Sequence, residues 1–91
     1  PSSQLKVSGI DLFSAGDPAR TANAESIRYA DPSAGVYKRL WVRDNRLQAA
    51  VLYGDTRHAN WYAEMIEQQR DISACREQLL WGQEAESGSV A

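Results

Sequence analysis

Two runs of strict alternation around a two-residue turn constrain this chain more than anything else in it. Val36, Lys38, Leu40 and Val42 fall on one side of an extended segment, and Tyr37, Arg39, Trp41 and Arg43 on the other. Asp44-Asn45 follows, and Asn tolerates positive φ at low cost. Leu47, Ala49, Val51 and Tyr53 then alternate with Gln48, Ala50 and Leu52. The pattern predicts a β-hairpin of Val36–Arg43 and Leu47–Tyr53. Its second arm is apolar on both sides, which places it at the centre of a sheet.

The flanking segments add strands before the hairpin and helices after it. Leu5 to Ala15 alternates, with a change of phase near Ser8-Gly9, and reads as one strand bent or bulged at the glycine. Gly16-Asp17-Pro18 ends it, and Ala19 to Glu25 reads as a loop. Ile27 and Tyr29 alternate with Ser26 and Arg28 in a short strand, Glu25 to Ala30, closed by Asp31-Pro32-Ser33-Ala34-Gly35. After Gly54-Asp55-Thr56 the period becomes helical from about His58 to Arg70. There Trp61, Met65 and Gln69 form a stripe, with Tyr62 and Ile66 beside it. Asp71 or Ser73 caps a second short helix, Ala74 to Trp81, stopped at Gly82. The expected fold is α+β: a small antiparallel sheet of about four strands, followed by two helices packed on one face.

A chain of 91 residues makes one domain, and its three Trp, four Tyr and one Phe must supply much of the core. Residues 1–4 are polar and read as linker, 5–83 as the domain, and 84–91 as a flexible tail or linker. The chain begins without Met, which is expected of a domain processed or excised from a longer protein, and excision is the favoured reading. Ten basic against 12 acidic residues leave a net charge of -2, which counts against nucleic acid as a partner. No apolar run approaches the ~20 residues that cross a bilayer, so no membrane partner is expected. Cys75 is the sole cysteine. It reads as a small buried hydrophobe, and its lack of partners suits a reducing, cytoplasmic setting.

Few residues suggest chemistry. His58, the only histidine, has Asp55 three residues away, the spacing of a possible His–Asp contact. The simpler reading is a polar residue in the first turn of a helix. His58, Asp55 and Glu64 match no metal-ligand spacing. Gly54-Asp55-Thr56-Arg57 reads as a strand-to-helix turn with a capping side chain. No phosphate-binding glycine motif is present. Tyr37, Arg39, Trp41 and Arg43 form an aromatic and cationic ladder. Either it contacts a partner, or the helices pack over it with the arginine stems at the edge.

Several segments together resemble a known family. Leu5-Lys-Val-Ser-Gly-Ile-Asp-Leu-Phe-Ser-Ala-Gly-Asp17 is similar to the opening of the last reductase domain in the large subunit of NAD(P)H-dependent nitrite reductases. Val36-Tyr-Lys-Arg-Leu40 and Leu47-Gln-Ala-Ala-Val-Leu-Tyr-Gly-Asp-Thr56 resemble that domain's hairpin. Trp61-Tyr62, Asp71-Ile-Ser73 and Leu79-Leu-Trp-Gly82 continue the likeness. Gln48-Ala49 departs from the small residue expected before Ala50. The domain is shared with NADH–rubredoxin reductases. The resemblance implies a non-catalytic C-terminal domain that packs on the FAD/NAD(P)H-binding module of its own parent chain and helps electrons reach the next redox centre. It implies no cofactor in this fragment, and FAD, an iron–sulfur cluster and sirohaem in the parent, with an adjacent iron–sulfur domain as a further partner. A nitrate reductase electron-transfer subunit, an NADH–rubredoxin-type reductase and a free-standing interaction module are the alternative settings.

Overall fold

The structure is a computed structural model that describes residues 2–81, less the side chains of Gln78 and Trp81. Gly82 and the stretch 84–91, expected as a helix stop and a tail, lie outside the described residues. Five antiparallel strands are formed: β1 (Ser2–Val7), β2 (Ile10–Gly16), β3 (Glu25–Asp31), β4 (Val36–Arg43) and β5 (Arg46–Tyr53). Their order across the sheet is β1-β2-β5-β4-β3. One α-helix follows, α1 (Ala59–Gln68), and then a 3-10 helix, Arg76–Trp81. The α+β reading holds, while the counts of strands and helices change.

Strand β5 is central, as its apolar residues on both sides require. The β4–β5 hairpin turns at Asp44-Asn45 with φ of 54° and 58°. Positive φ at both central residues gives the turn whose twist suits flanking strands. The segment from Leu5 to Ala15 is corrected from one bent strand to a second hairpin. Ser8 and Gly9, at φ 53° and 80°, form a two-residue turn of the same kind, and Val7 pairs Ile10 while Leu5 pairs Leu12. Ser-Gly between two alternating runs therefore reverses the chain instead of kinking it. Residues 2–4, expected as linker, are strand residues paired with Phe13, Ser14 and Ala15.

Pairing along β4–β5 slips by one residue between Trp41, opposite Ala49, and Val42, opposite Leu47. The extra residue is Gln48. Its side chain is buried, and Nε2 donates to the carbonyls of Arg43 and Arg46 at 3.3 and 3.2 Å. The amide thus satisfies backbone acceptors that the bulge takes out of the ladder.

Helix α1 covers one side of the sheet. Phe13, Leu40, Val42, Leu47, Ala50 and Leu52 meet Ala59, Trp61, Tyr62 and Met65 in the core, with Ile72 and Leu79 completing it. Gln69 ends the helix in the left-handed region, its N–H donating to the carbonyl of Met65. Its side-chain Nε2 donates to the carbonyls of Ile66 and Leu47, tying the helix end to β5. The expected second α-helix is a turn over 73–75 and the 3-10 helix instead. Leu79 is buried there and Leu80 half-buried. Two buried side chains anchor that segment: Tyr62 Oη donates to the carbonyl of Leu79 at 2.6 Å, and Lys38 Nζ to that of Leu80 at 3.1 Å. These bonds take up carbonyls that a short final helix leaves unpaired.

Gly16 sits where β2 passes β5, at φ 100°, and a Cβ there would run into the carbonyl of Gln48 and the Cα of Ala49. A Cβ at Gly9 meets nothing nearby. Gly16→Ala is therefore expected to lower unfolding free energy by about 2–3 kcal/mol, combining strain and clash. Gly9→Ala should cost about 1 kcal/mol, from backbone conformation alone. Urea denaturation of the two variants measures the difference.

Candidate interface on the helix-free face

With α1 on one side, alternate residues of every strand are left on the other. The register puts Leu5 and Val7 of β1, Ile10 and Leu12 of β2, and Val51 and Tyr53 of β5 on this second side. They are joined there by Tyr37, Arg39 and Trp41 of β4 and by Ser26 and Arg28 of β3. Leu5, Val7 and Tyr53 are the large hydrophobic residues that remain exposed, at 55%, 52% and 39%. Exposed apolar side chains are thus grouped on one side of the sheet.

The ladder of Tyr37, Arg39, Trp41 and Arg43 lies on this face, opposite the one that α1 covers. All four side chains are half-buried. The Arg39 guanidinium stacks over Trp41, 4.8 Å from the ring centroid, and its Nε donates to Ser26 Oγ at 3.1 Å. Stacking and hydrogen bonding fix a long side chain that would otherwise lose rotamer freedom on contact. Beside Trp41 lies a cleft of about 360 Å³, bounded by Ser3, Ser14, Gly16, Pro18, Thr21 and Ala49. Small residues on β2 and β5 leave it open, and the indole forms one wall.

The sequence missed the β1–β2 half of the face. Reading Leu5 to Ala15 as one strand hides that Leu5 and Leu12 are neighbours. The Ser8-Gly9 dipeptide was the signal that could have revealed it. Arg28 was also missed, because only pairing across β3 and β4 sets it opposite Arg39.

The other suspected residues do not assemble into a site. No hydrogen bond or ion pair joins Asp55 to His58; the Asp55 carboxylate accepts two bonds from the Arg57 guanidinium, each 3.0 Å, and lies 3.8 Å from Lys38 Nζ. The Arg57 side chain is the main reason its pKa falls to about 2, helped by the Arg57 N–H and Lys38 and opposed by burial. His58 Nε2 is buried with no hydrogen-bond partner. Among the described residues no set of three His, Cys, Asp or Glu side chains is placed to hold a metal ion. Cys75 packs half-buried against the core. Burial raises the pKa of Tyr62, consistent with a phenol that serves as a donor. Among the described residues no helix is long and apolar enough to cross a membrane.

Residues 1–70 match the model of the rubredoxin NAD+ reductase C-terminal domain. The chain belongs to this family. It is 39% identical over 80 residues to the assimilatory nitrate reductase electron transfer subunit of Bacillus subtilis, covering 88% of this chain and 10% of that protein. It is 42% identical over 72 residues to the nitrite reductase [NAD(P)H] of the same organism, covering 79% and 9%. Among solved structures, NADH:rubredoxin oxidoreductase from Clostridium acetobutylicum superposes with a TM-score of 0.67 at 25% identity, over 78% of this chain and 18% of that one. The rubredoxin reductase C-terminal domain seen here thus spans about a tenth of the length of the nitrate and nitrite reductase relatives.

Asp55 gives this domain a defined acid response. A carboxylate with a depressed folded pKa contributes stability that is complete above its unfolded value near 4 and is lost as pH falls toward 2. Because Arg57 is mostly exposed, the contribution is expected to be about 1–2 kcal/mol. Asp55→Asn should flatten the stability profile between pH 4 and 2, as measured by thermal melts across that range.

Proposed function

We propose that this chain is the non-catalytic C-terminal domain of a flavin-dependent assimilatory nitrite reductase. It packs its helix-free sheet face on the parent's FAD/NAD(P)H module and helps electrons pass to the next redox centre. The observation that carries this reading is the face itself. A domain of this family, matching about a tenth of longer reductases, presents exposed Leu5, Val7 and Tyr53 on a sheet side that α1 does not cover. Buried apolar area of this kind is the main driving force for association.

The domain's own residues do not fit a cysteine-ligated iron–sulfur cluster. There is a single cysteine in the chain, and the described residues hold no ligand cluster. FAD, the cluster and sirohaem belong to other modules of the parent in this reading. What the domain supplies is shape, exclusion of water from the flavin module's surface, and a fixed seat for the carrier that follows, an adjacent iron–sulfur domain. The domain is taken as residues 5–83, extended at its start by the β1 residues from Ser2, with 84–91 as a tail or linker, and the parent would work in the cytoplasm.

A second setting, the electron-transfer subunit of a nitrate reductase, is favoured by the relative that matches 88% of this chain. An NADH–rubredoxin-type reductase is favoured by the structural likeness. A free-standing interaction module would gain if the adjoining coding sequence lacked flavoprotein motifs.

Deleting residues 5–83 from the intact parent tests the role. NAD(P)H oxidation with an artificial dye should persist while nitrite reduction is lost. Loss of both, with release of FAD, would instead make the domain a prop for the flavin module.

A further inference from the structure

The helix-free face divides into two chemically distinct halves. Its β1–β2–β5 half is apolar. Its β3–β4 half carries Arg28, Arg39 and Arg43, and the strand register places no Asp or Glu on that side of the sheet. The chain as a whole has an acidic excess, so the segregation is not a consequence of composition. Among the described residues none of the three guanidiniums is paired with a carboxylate.

Two details indicate that the arginines are held for contact. Arg28 lies directly opposite Arg39 across the β3–β4 ladder, and like charges in that position destabilise a sheet. Arg39 is also pre-ordered, stacked on Trp41 and bonded to Ser26. Arg43 extends the row roughly 13 Å along β4, four residues at strand rise. Trp41 sits between Arg39 and Arg43 in the sequence of the strand, on the same side.

We propose that Arg28, Arg39 and Arg43 dock against a carboxylate-bearing patch on the parent's own FAD/NAD(P)H module, beside the apolar contact made by Leu5, Val7 and Leu12. The inference rests on the proposed function, which puts that module on this face, and adds the partner's chemistry. The occupant is the same-chain flavin module because the matched family model is the C-terminal domain of an NAD+-linked reductase and this chain spans about a tenth of its longer relatives. The segment's first described residues, Ser2 and Ser3, line the cleft that Trp41 walls. A flavin module joined ahead of β1 would be tethered next to the arginine row at high effective concentration.

The test uses one substitution that separates docking from stability. Arg28→Glu replaces a repulsive cross-strand pair with an attractive one, so the 91-residue chain should melt at the same or a higher temperature. In the intact parent the same change should loosen docking. The readout is the rate at which phenylglyoxal modifies Arg39 and Arg43, taken as the ratio of intact parent to isolated chain by mass spectrometry. In the wild type the parent should protect both arginines. Arg28→Glu, or a rise in salt from 50 to 500 mM, should reduce that protection roughly tenfold, as expected of a few partly exposed ion pairs. Arg28→Lys should retain it.

Protection that ignores both the substitution and salt would overturn the carboxylate patch, leaving steric cover alone. Exposed arginines in a parent where Leu5 and Leu12 are shielded would also overturn it, while leaving the proposed function intact. A parent in which neither half is shielded would overturn both.

Discussion

A sheet has two faces, and a single ten-residue helix covers one. Most of what this domain does follows from that constraint. Helix α1 buries Phe13, Leu40, Leu47, Ala50 and Leu52, and nothing within the described residues performs the same service for Leu5, Val7 or Tyr53. Strand β5 feels the constraint most, since it lies in the middle of the sheet and is apolar on both sides. In the proposed reading a module of the parent covers that second face.

The covered face is held by buried polar groups as well as by apolar packing. Lys38 faces α1 among hydrophobic neighbours, at 6% exposure, yet its ammonium reaches the carbonyl of Leu80 and lies near Asp55. Tyr62 caps the adjacent carbonyl of Leu79. Gln48 and Gln69 serve the bulge and the helix end in the same way. Each buried polar atom answers a backbone group that irregular structure leaves unpaired, which is the condition for burying it without loss. His58 Nε2 is the exception among the described residues.

The sequence revealed the elements where local chemistry decides them. Asp44-Asn45 and the alternation on either side of it define the β4–β5 hairpin, and the Trp61–Tyr62–Met65 spacing defines α1. It misled where two local solutions compete. Ser8-Gly9 serves equally well as a bulge or a reversal, and long-range pairing of β2 with β5 selects the reversal. Ala74 to Trp81 is too short to hold α-helical geometry by itself, and the bonds from Tyr62 and Lys38 fix carbonyls of a 3-10 turn instead. The ladder from Tyr37 to Arg43 was visible as a pattern. Its freedom from helix cover, and its union with Leu5, Leu12 and Arg28, depend on the order of strands across the sheet, which no local segment encodes.

The central claim is that the second face is an interface within a longer reductase. Hydroxyl-radical footprinting of the 91-residue chain and of the intact parent compares side-chain oxidation residue by residue. The account predicts that Leu5, Val7, Leu12 and Tyr53 react readily in the isolated chain and are shielded in the parent, while Tyr62 and Met65 are shielded in both. Equal oxidation of Leu5, Val7, Leu12 and Tyr53 in the two proteins would contradict it.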